Sequence, residues 1–328
     1  MISFETGGRN RIPLKNQTRA SCSVFVPCAI SSFFEICDTN PDGSSLEDPL
    51  KIGARGGGFI LKRGNTTKAL SGKDIKSDQV TINGKSVPGA RTSLKVLELL
   101  REDYDIDPVR LLHVIDPPIG SGFGTSGAGA VGAAIAVSNL FDLRLTLTEA
   151  SAFAHRAEID SVTGLGTVIS LVSSTGAIGL VTEPGCFSVG RVDSILEEYG
   201  KYTIFCACFG PIEKSTVLKE PTMRLKVNEY GRKTLESIID EGTVDALLRY
   251  SRIFAERTGI ASQELLRLAD KSIELGAIGA TQNMIGNAVH CLVPKSRKNS
   301  FLRDFCRLVP KTAIFESELC QSGPLLAD

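Results

Sequence analysis

The sequence lacks an excess of charge of either sign. Its 328 residues include 37 lysines and arginines and 37 aspartates and glutamates, so the formal net charge at pH 7 is +0. A chain without an overall field has no general attraction for nucleic acid or for an anionic membrane, and we expect neither as a partner. An anionic ligand would have to be bound by a local cluster of donors.

Targeting signals and long apolar runs are also missing. The N-terminus has no basic stretch followed by an apolar one. The longest run of small apolar residues, 128–141, is interrupted by Gly132, Ser138 and Asn139. We therefore expect a cytoplasmic protein without membrane spans.

Zinc-binding patterns are absent as well. The nine cysteines include no Cys-x-x-Cys pair, and only Cys206 and Cys208 stand close together, on one face if their segment is a strand. Free buried thiols in a reducing compartment are the better interpretation. We expect no zinc site.

What is present is an ordered series of strand and helix patterns. Apolar runs early in the chain and at 202–209 predict strands, whereas the apolar spacing in 128–140 and 232–276 predicts helices. This layout favours an α+β fold. The length favours two domains, which we place at residues 1–185 and 186–328.

Local signals mark turns and helix starts. Asn83-Gly84 predicts a tight hairpin, and Thr146-x-x-Glu149 predicts a capping box that opens a helix. The chain shows no internal repeat of the lengths found in solenoids.

The most informative segment is the glycine-rich loop 118–127. Glycines alternate with other residues there, and two hydroxyl residues follow where the small-residue helix begins. Glycines let backbone N–H groups approach a phosphate, and the positive end of a helix favours its charge. The other phosphate-binding pattern, GxxxxGK[ST], does not occur in the sequence. The residues that we expect to bind phosphates are Pro118, Gly120, Ser121, Gly122, Phe123, Gly124, Thr125, Ser126 and Gly127.

Two other interpretations of this loop stay open. Gly122, Gly124 and Gly127 also fit the dinucleotide fingerprint, with Asp142 downstream as its acidic residue, which would suit a nicotinamide-dependent oxidoreductase. Against this, Pro117 and Pro118 stand between the preceding strand and the first glycine, and proline cannot continue a central strand. Alternatively, the glycines serve only close helix packing.

The loop resembles the P-x-G-x-G-L-G-S/T-S motif of the GHMP kinases, named for galactokinase, homoserine kinase, mevalonate kinase and phosphomevalonate kinase. Residues 118–126 match this motif with Phe123 in place of leucine. Three further segments follow in the family's order: VPCAISSFFE at 26–35, AHRAE with TGLG at 154–166, and MIGNAV at 284–289. The resemblance covers most of the chain and is strongest to the archaeal pantoate-kinase-like branch.

This resemblance implies a two-domain GHMP kinase fold, with an N-terminal ATP-loop domain and a C-terminal ferredoxin-like α/β sandwich domain. It implies ATP and Mg²⁺ as cofactors, with Ser126 and Glu158 as catalytic residues that hold the metal. Oxygen ligands of this kind suit Mg²⁺. A solvated carboxylate at a helix end is the other interpretation of Glu158.

Two positions depart from the family pattern. Thr167 stands where the family has a catalytic aspartate, and Ala29 stands where it has lysine or histidine. A general base contributes about 10²- to 10⁴-fold, whereas phosphoryl transfer rests mainly on alignment and charge neutralisation, so a kinase can act without one. Asp160, two residues after Glu158, is our candidate for a substitute base.

The acceptor is the least determined part of the prediction. We expect Ser31, Ser32, Arg55, Lys62 and Thr167 to bind it. The short side chain of Ala29, where the family has a longer one, disfavours pantoate as the acceptor. The basic residues near the N-terminus, together with Arg55 and Lys62, suit a second phosphate, because arginine pairs bidentately with phosphate. Those N-terminal residues are Arg9, Arg11 and Arg19.

The leading hypothesis is a small-molecule kinase that phosphorylates a primary hydroxyl of a small branched hydroxy acid. The resemblance suggests mevalonate 3-phosphate, converted to mevalonate 3,5-bisphosphate in an archaeal mevalonate pathway of isoprenoid biosynthesis. Pantoate, in coenzyme A biosynthesis, is the alternative. A catalytically inactive GHMP-fold binding protein also stays open, as does a homodimer.

Overall fold

The computed structural model describes residues 20–173, 176–198, 200–211 and 220–327. Eight strands form its first sheet: β1 (Ser21–Cys37), β2 (Gly53–Leu70), β3 (Gln79–Ile82), β4 (Lys85–Ser86), β5 (Arg110–Ile115), β6 (Ile178–Glu183), β7 (Arg191–Ser194) and β12 (Leu325–Ala327). Their order is β12-β1-β2-β5-β3-β4, with β6 also paired to β2 and β7 to β6. All of these pairs are antiparallel except β3 with β5.

A second, antiparallel sheet is built from the C-terminal half of the chain. Its strands are β8 (Tyr202–Cys208), β9 (Gly279–Gln282), β10 (Ala288–Pro294) and β11 (Ile314–Glu318). They lie in the order β11-β8-β10-β9. Apolar side chains alternate toward the helices on one face and toward the first sheet on the other, as a strand period of two requires.

Helices cover both sheets. The first half of the chain contributes α1 (Arg91–Asp103), α2 (Thr125–Leu140), α3 (Leu147–Asp160) and α4 (Thr167–Val172). The second half contributes α5 (Pro221–Glu241), α6 (Val244–Thr258), α7 (Gln263–Glu274) and α8 (Lys298–Phe305). None of these helices, which are those of the described ranges, is long and apolar enough to cross a membrane.

Helix α2 is buried between the first sheet and helices α1 and α3. It consists almost entirely of small residues, so neighbouring backbones approach closely. A Cβ atom at Gly132 would lie 2.3 Å from Thr67 Oγ1 of β2, whereas Gly129 lies over the ring of His113 on β5. The composition of α2 therefore fixes how deeply the helix sits and where its N-terminus lies.

Strand β1 connects the two halves of the molecule. Helix α5 packs on it so tightly that a Cβ atom at Gly231 would lie 2.2 Å from the carbonyl oxygen of Phe34. The backbone N–H of Ile36 donates to Asn228 Oδ1 at 2.9 Å, and Arg224 Nη2 donates to both carboxylate oxygens of Asp38 at 2.7 and 2.8 Å. Strand β1 is therefore packed against elements of both halves.

These observations confirm the predicted α+β fold class. The hairpin at Asn83-Gly84 is present, with φ of +50° and +77°, and so is the capping box of Thr146 and Glu149. The domain boundary at residue 185 stays a prediction. Strands β7 and β12 both follow that point in the chain, yet they belong to the first sheet.

The close packing of α2 generates a stability prediction. We expect Gly132→Ala to lower the free energy of unfolding by about 1–3 kcal/mol, because the added methyl group overlaps Thr67 in a core that cannot easily expand. Gly89→Ala is the matched control, since a Cβ atom there meets nothing within 4 Å. Denaturant unfolding measures both variants. Equal stability of the two would contradict this account of α2.

Candidate active site

Three glycines give the loop 118–127 its shape. Gly120, Gly122 and Gly124 have φ of +83°, +79° and +63°, a region that residues with a side chain rarely adopt. A Cβ atom at each position would also lie 2.8 Å from a side-chain carbon of a neighbouring segment. Those neighbours are, in order, Pro211, Asn283 and Thr167. Both the backbone conformation and the close packing therefore require glycine here.

The loop leads directly into the N-terminus of α2. Gly124 is the N-cap residue, and no side chain within the described ranges caps this helix. The first N–H groups of a helix have no partner within the helix, and its positive end attracts an anion. The start of α2 therefore offers backbone donors beside the loop.

Ser121 has an unsatisfied hydroxyl inside the loop. Its side chain is buried, and its Oγ has no hydrogen-bond partner among the residues that the structure describes. Its carbonyl oxygen, by contrast, accepts a hydrogen bond from Asn283 Nδ2 at 3.1 Å. Buried polar groups are rarely left without a partner, so a ligand oxygen would fit here.

Glu158 of α3 places a buried carboxylate beside the start of α2. Its Oε2 accepts a hydrogen bond from the backbone N–H of Gly166 at 3.2 Å. Cβ atoms built on Gly164 and Gly127 would lie 2.2 and 3.2 Å from Oε1. The carboxylate is therefore enclosed between the turn 163–166 and the first turn of α2.

The hydroxyl of Ser126 lies in the same region. It is 3.3 Å from Thr92 Oγ1, which is 2.9 Å from Thr163 Oγ1, and the backbone N–H of Thr163 donates to the carbonyl oxygen of Glu158 at 3.2 Å. The structure thus brings Ser126 and Glu158 together, and their role as metal ligands stays a prediction. One carboxylate with surrounding hydroxyl oxygens is a donor set that suits Mg²⁺ bound to a phosphorylated ligand.

A cleft with an empty volume of about 840 Å³, open to solvent, lies beside this loop. Its walls come from β1, β2, the turn 164–167 and residues 284–285. Ala29 and Thr167 line it, and a Cβ atom at Gly124 would lie 2.8 Å from Thr167 Cγ2 and 3.5 Å from the carbonyl oxygen of Ala29. The end of the loop 118–127, called the phosphate loop below, therefore adjoins the cleft. The apolar side chains of the cleft include Phe33, Phe34, Phe59, Leu165, Val181, Met284 and Ile285.

Charge in the cleft is sparse. Among the described residues that line it, Arg55 is the one charged side chain, and its Nε donates to Glu35 Oε2 at 2.8 Å. Lys62 was also predicted to bind the acceptor, but its Nζ pairs with Glu318 at 2.9 Å and it does not line the cleft. Arg9, Arg11 and Arg19 lie outside the described residues.

The two serines predicted to bind the acceptor face different parts of the structure. Ser31 lines the cleft, whereas Ser32 is fully buried and its Oγ lies 2.9 Å from His290 Nε2. Consecutive residues of a strand point to opposite faces, so one of the two had to turn away. An irregularity in the β1–β2 register between Ser31 and Phe33 then allows both Phe33 and Phe34 to reach the cleft.

Asp160 lies away from the cleft lining. Its Oδ2 is 3.8 Å from Lys95 Nζ and 3.6 Å from Arg156 Nε, on the partly exposed side of α3. Its role as a base stays a prediction, and these two ion pairs give it no support. The described residues contain no cluster of three or more histidine, cysteine or acidic side chains placed to hold a metal.

The dinucleotide interpretation does not agree with the fold around the loop. A dinucleotide-binding unit needs a parallel sheet whose strand leads into the first glycine. Here β5 pairs parallel with the four-residue strand β3 but antiparallel with β2. Residues 116–119 separate β5 from Gly120, and Asp142 forms a local pair with Arg144 beyond the C-terminus of α2. This largely antiparallel sheet is not the Rossmann arrangement.

Two contacts of the loop were not predicted. Pro211 packs against Gly120, and Asn283 packs against Gly122 and binds the carbonyl oxygen of Ser121. The sequence signal for the second was the adjacent motif 284–289, whose Gly286 lies against the loop: a Cβ atom there would be 2.3 Å from the carbonyl carbon of Ser121. The motif thus indicated the right segment of the chain but did not identify Asn283.

Comparisons with known proteins agree with this geometry. A family profile described as "GHMP kinases N terminal domain" matches residues 91–173, which include the loop, α2 and α3. Pantoate kinase from Thermococcus kodakarensis is 29% identical over 273 residues, covering 82% of this chain and 86% of the relative. Residues 91–173 therefore form a GHMP kinase N-terminal domain. Over most of its length the chain is similar to pantoate kinases.

Further comparisons agree with this similarity. Pantoate kinase from Methanocaldococcus jannaschii is 28% identical over 277 residues, covering 83% of the chain and 93% of the relative. A solved structure titled "Phosphotransferase related to CoA biosynthesis pathway" has a TM-score of 0.81 at 26% identity, covering 94% of this chain and 98% of its own. The GHMP kinase domain and the kinase relatives together indicate a phosphotransferase with an alcohol group as acceptor and ATP as donor.

All three histidines of the chain are buried around the site, and this generates a pH prediction. Burial lowers the pKa of His113 to about 4 and that of His290 to about 3, and it also lowers the pKa of His155. Because each folded pKa lies below the unfolded value of about 6.5, the unfolded state binds more protons as the pH falls. This contribution to stability is complete above pH 6.5 and is lost toward pH 4.

We expect each such histidine to make the free energy of unfolding fall by about 1.4 kcal/mol per pH unit in that window. His113→Gln should flatten the slope between pH 6.5 and 4 relative to the wild type, whatever its effect on stability at neutral pH. Urea unfolding at a series of pH values measures the slope. An unchanged slope would show that His113 is not held neutral in the folded protein.

Proposed function

We propose that the protein is an ATP-dependent pantoate kinase that transfers the γ-phosphoryl group of MgATP to the primary hydroxyl of pantoate. The observation that carries this proposal is the contact of Gly124 with Thr167 and Ala29, because the loop proposed to bind phosphate thereby adjoins the wall of a largely apolar cleft. The relatives on the pantoate-kinase-like branch support the choice of acceptor.

The nucleotide would be held by the chain's own backbone and hydroxyl donors. The N–H groups of the loop 118–127 and of the first turn of α2 would bind phosphate oxygens, and the unpartnered Ser121 Oγ would donate to one of them. Ser126 and Glu158 would hold Mg²⁺. The metal would neutralise charge on the transferring phosphoryl group.

The acceptor would be held mainly by apolar contact and by one charge. Phe34, Leu165 and Met284 offer an apolar surface that suits a branched aliphatic acid, with the fully buried Phe33 and Phe59 packed behind it. Arg55 would pair with the single carboxylate, and Glu35 orients its guanidinium. A second anionic group on the acceptor would meet no further cation among the described lining residues.

The transfer needs alignment more than proton abstraction. The acceptor oxygen forms a bond to the γ-phosphorus, the bond from phosphorus to the bridging oxygen breaks, and ADP leaves; the hydroxyl proton is released to solvent. No carboxylate belongs to the described part of the cleft wall. With Thr167 in place of the family's aspartate, Thr167 and Ser31 would orient the hydroxyl, and the loose transition state makes that sufficient.

Pantoate accounts for the cleft better than mevalonate 3-phosphate. The earlier preference for a phosphorylated acceptor depended on several cations meeting in the site. Of those within the described ranges, Lys62 pairs with Glu318, away from the cleft, and Arg55 lines it. An inactive binding protein is disfavoured by the presence of both Ser126 and Glu158 at the start of α2.

The proposed metal ligands are tested by substitution. We expect Ser126→Ala and Glu158→Gln each to reduce kcat by about 10²-fold or more, since each removes an interaction with the transition-state charge. Ser138→Ala, also on α2 but bound to the backbone N–H of Leu145, is the matched control and should keep full turnover. ADP release measures all three. Asp160→Asn separates the two carboxylates: a loss as large as that of Glu158→Gln would support Asp160 as the base instead.

The acceptor assignment is tested with a panel of hydroxy acids. We expect ADP release with pantoate and little with mevalonate 3-phosphate, mevalonate or homoserine. Arg55→Gln should raise the KM for pantoate by about 10- to 100-fold, because a charge-assisted pair is worth about 1.5–3 kcal/mol. Lys62→Gln is the matched control and should leave that KM unchanged. A preference for mevalonate 3-phosphate that requires Lys62 would overturn the pantoate assignment.

A further inference from the structure

A chain of buried hydrogen bonds connects strand β1 to the phosphate loop. Ser32 Oγ on β1 lies 2.9 Å from His290 Nε2 on β10, and His290 Nδ1 lies 2.9 Å from Asn283 Oδ1. Asn283 Nδ2 then donates to the carbonyl oxygen of Ser121 at 3.1 Å. Ser32, His290 and Asn283 are each fully buried, so water does not compete for these contacts.

The chemistry of the partners gives this chain of bonds a direction. The amide oxygen of Asn283 can only accept, so His290 Nδ1 carries the proton and donates to it. His290 Nε2 is then the acceptor, and Ser32 Oγ donates to it. Burial keeps the imidazole neutral by lowering the pKa of His290 to about 3. With its oxygen engaged by His290, Asn283 must present its amide nitrogen to the loop.

The bond to Ser121 sets the orientation of a donor in the loop. The peptide unit that joins Ser121 to Gly122 is planar and trans, so its C=O and N–H point in opposite directions. Because Asn283 holds the C=O, the N–H of Gly122 points away from Asn283. Gly122 has φ of +79° and no side chain to restrain it, so without this bond the peptide could rotate more freely.

The same segment is attached to the acceptor side of the site. The backbone N–H of Met284, the residue after Asn283, donates to the carbonyl oxygen of Ser31 at 2.8 Å, and Met284 and Ser31 both line the cleft. The turn that begins at Asn283 therefore contacts the phosphate loop and the acceptor cleft at once.

We propose that Asn283 is a positioning residue, oriented by His290 and Ser32, that fixes the Ser121–Gly122 peptide so that the Gly122 N–H faces the triphosphate. This deepens the proposed function and rests on the loop 118–127 binding MgATP. Ser32, which sequence reasoning assigned to acceptor binding, acts here on the nucleotide side of the site.

The test measures the Kd of MgATP by titration calorimetry, without an acceptor. Asn283→Leu should raise this Kd by about tenfold or more, since it leaves the Ser121 carbonyl unpaired and removes the hydrogen bond that fixes the peptide, which then keeps only its packing against Gly286. Ser32→Ala, which removes one hydroxyl at the far end and is the safer variant for folding, should raise it by about threefold. In the Asn283→Leu background, Ser32→Ala should have no further effect, because its influence passes through Asn283.

Thr203→Val is the matched control. Thr203 is a fully buried residue of the same sheet, and its hydroxyl has no partner in the described part of the chain, so the Kd should not change. Equal Kd values for the wild type, Ser32→Ala and Asn283→Leu would overturn the positioning role, as would additive effects of the two substitutions. Failure of the wild type to bind MgATP would overturn the proposed function itself, so the two failures are distinguishable.

Discussion

The whole site depends on the close approach of Gly124 to Thr167 and Ala29. A single methyl group at position 124 would collide with Thr167, and the same glycine is the N-cap of α2. This one contact places the positive end of a buried helix at the wall of the acceptor cleft. The small residues of α2, the irregular strand β1 and the turn 163–166 can all be understood as the structure that maintains it.

Burial of neutral polar groups supports that contact from two sides. Beneath α2, His113 bonds to Thr67 Oγ1 at 2.9 Å and to Ser93 Oγ at 3.0 Å. On the other side of the loop, His290 orients Asn283. Both imidazoles remain neutral because burial disfavours their charged forms. Hydrogen bonds of these buried neutral side chains fix the positions of their partners without adding charge beside the proposed phosphate site.

Much of the fold and part of the site could be predicted because their signals are local. The hairpin at Asn83-Gly84 and the capping box at Thr146 follow from the conformations that those residues prefer. The loop and the pair Ser126 and Glu158 could be found from glycine spacing and motif order. The direction in which the Lys62 side chain points could not be predicted, because its partner Glu318 is far along the chain.

Other features depended on tertiary structure in the same way. Nothing in the sequence near Asp160 indicates that Lys95 will lie beside it, and nothing near residue 325 indicates that β12 will return to β1. The placement of Lys62 beside Glu318 changed the proposed acceptor, because the number of cations in the described part of the cleft distinguishes an acceptor with one anionic group from one with two. The residues proposed to bind phosphate therefore have local sequence signals, whereas those proposed to select the substrate depend on partners far along the chain.

The most direct test of the central claim is a crystal structure with a non-hydrolysable MgATP analogue and pantoate bound together. The account predicts the triphosphate against residues 120–127 at the start of α2, the metal on Ser126 and Glu158, and the pantoate hydroxyl facing the γ-phosphate beside Thr167. A nucleotide bound elsewhere, or a triphosphate that does not touch the loop, would contradict it.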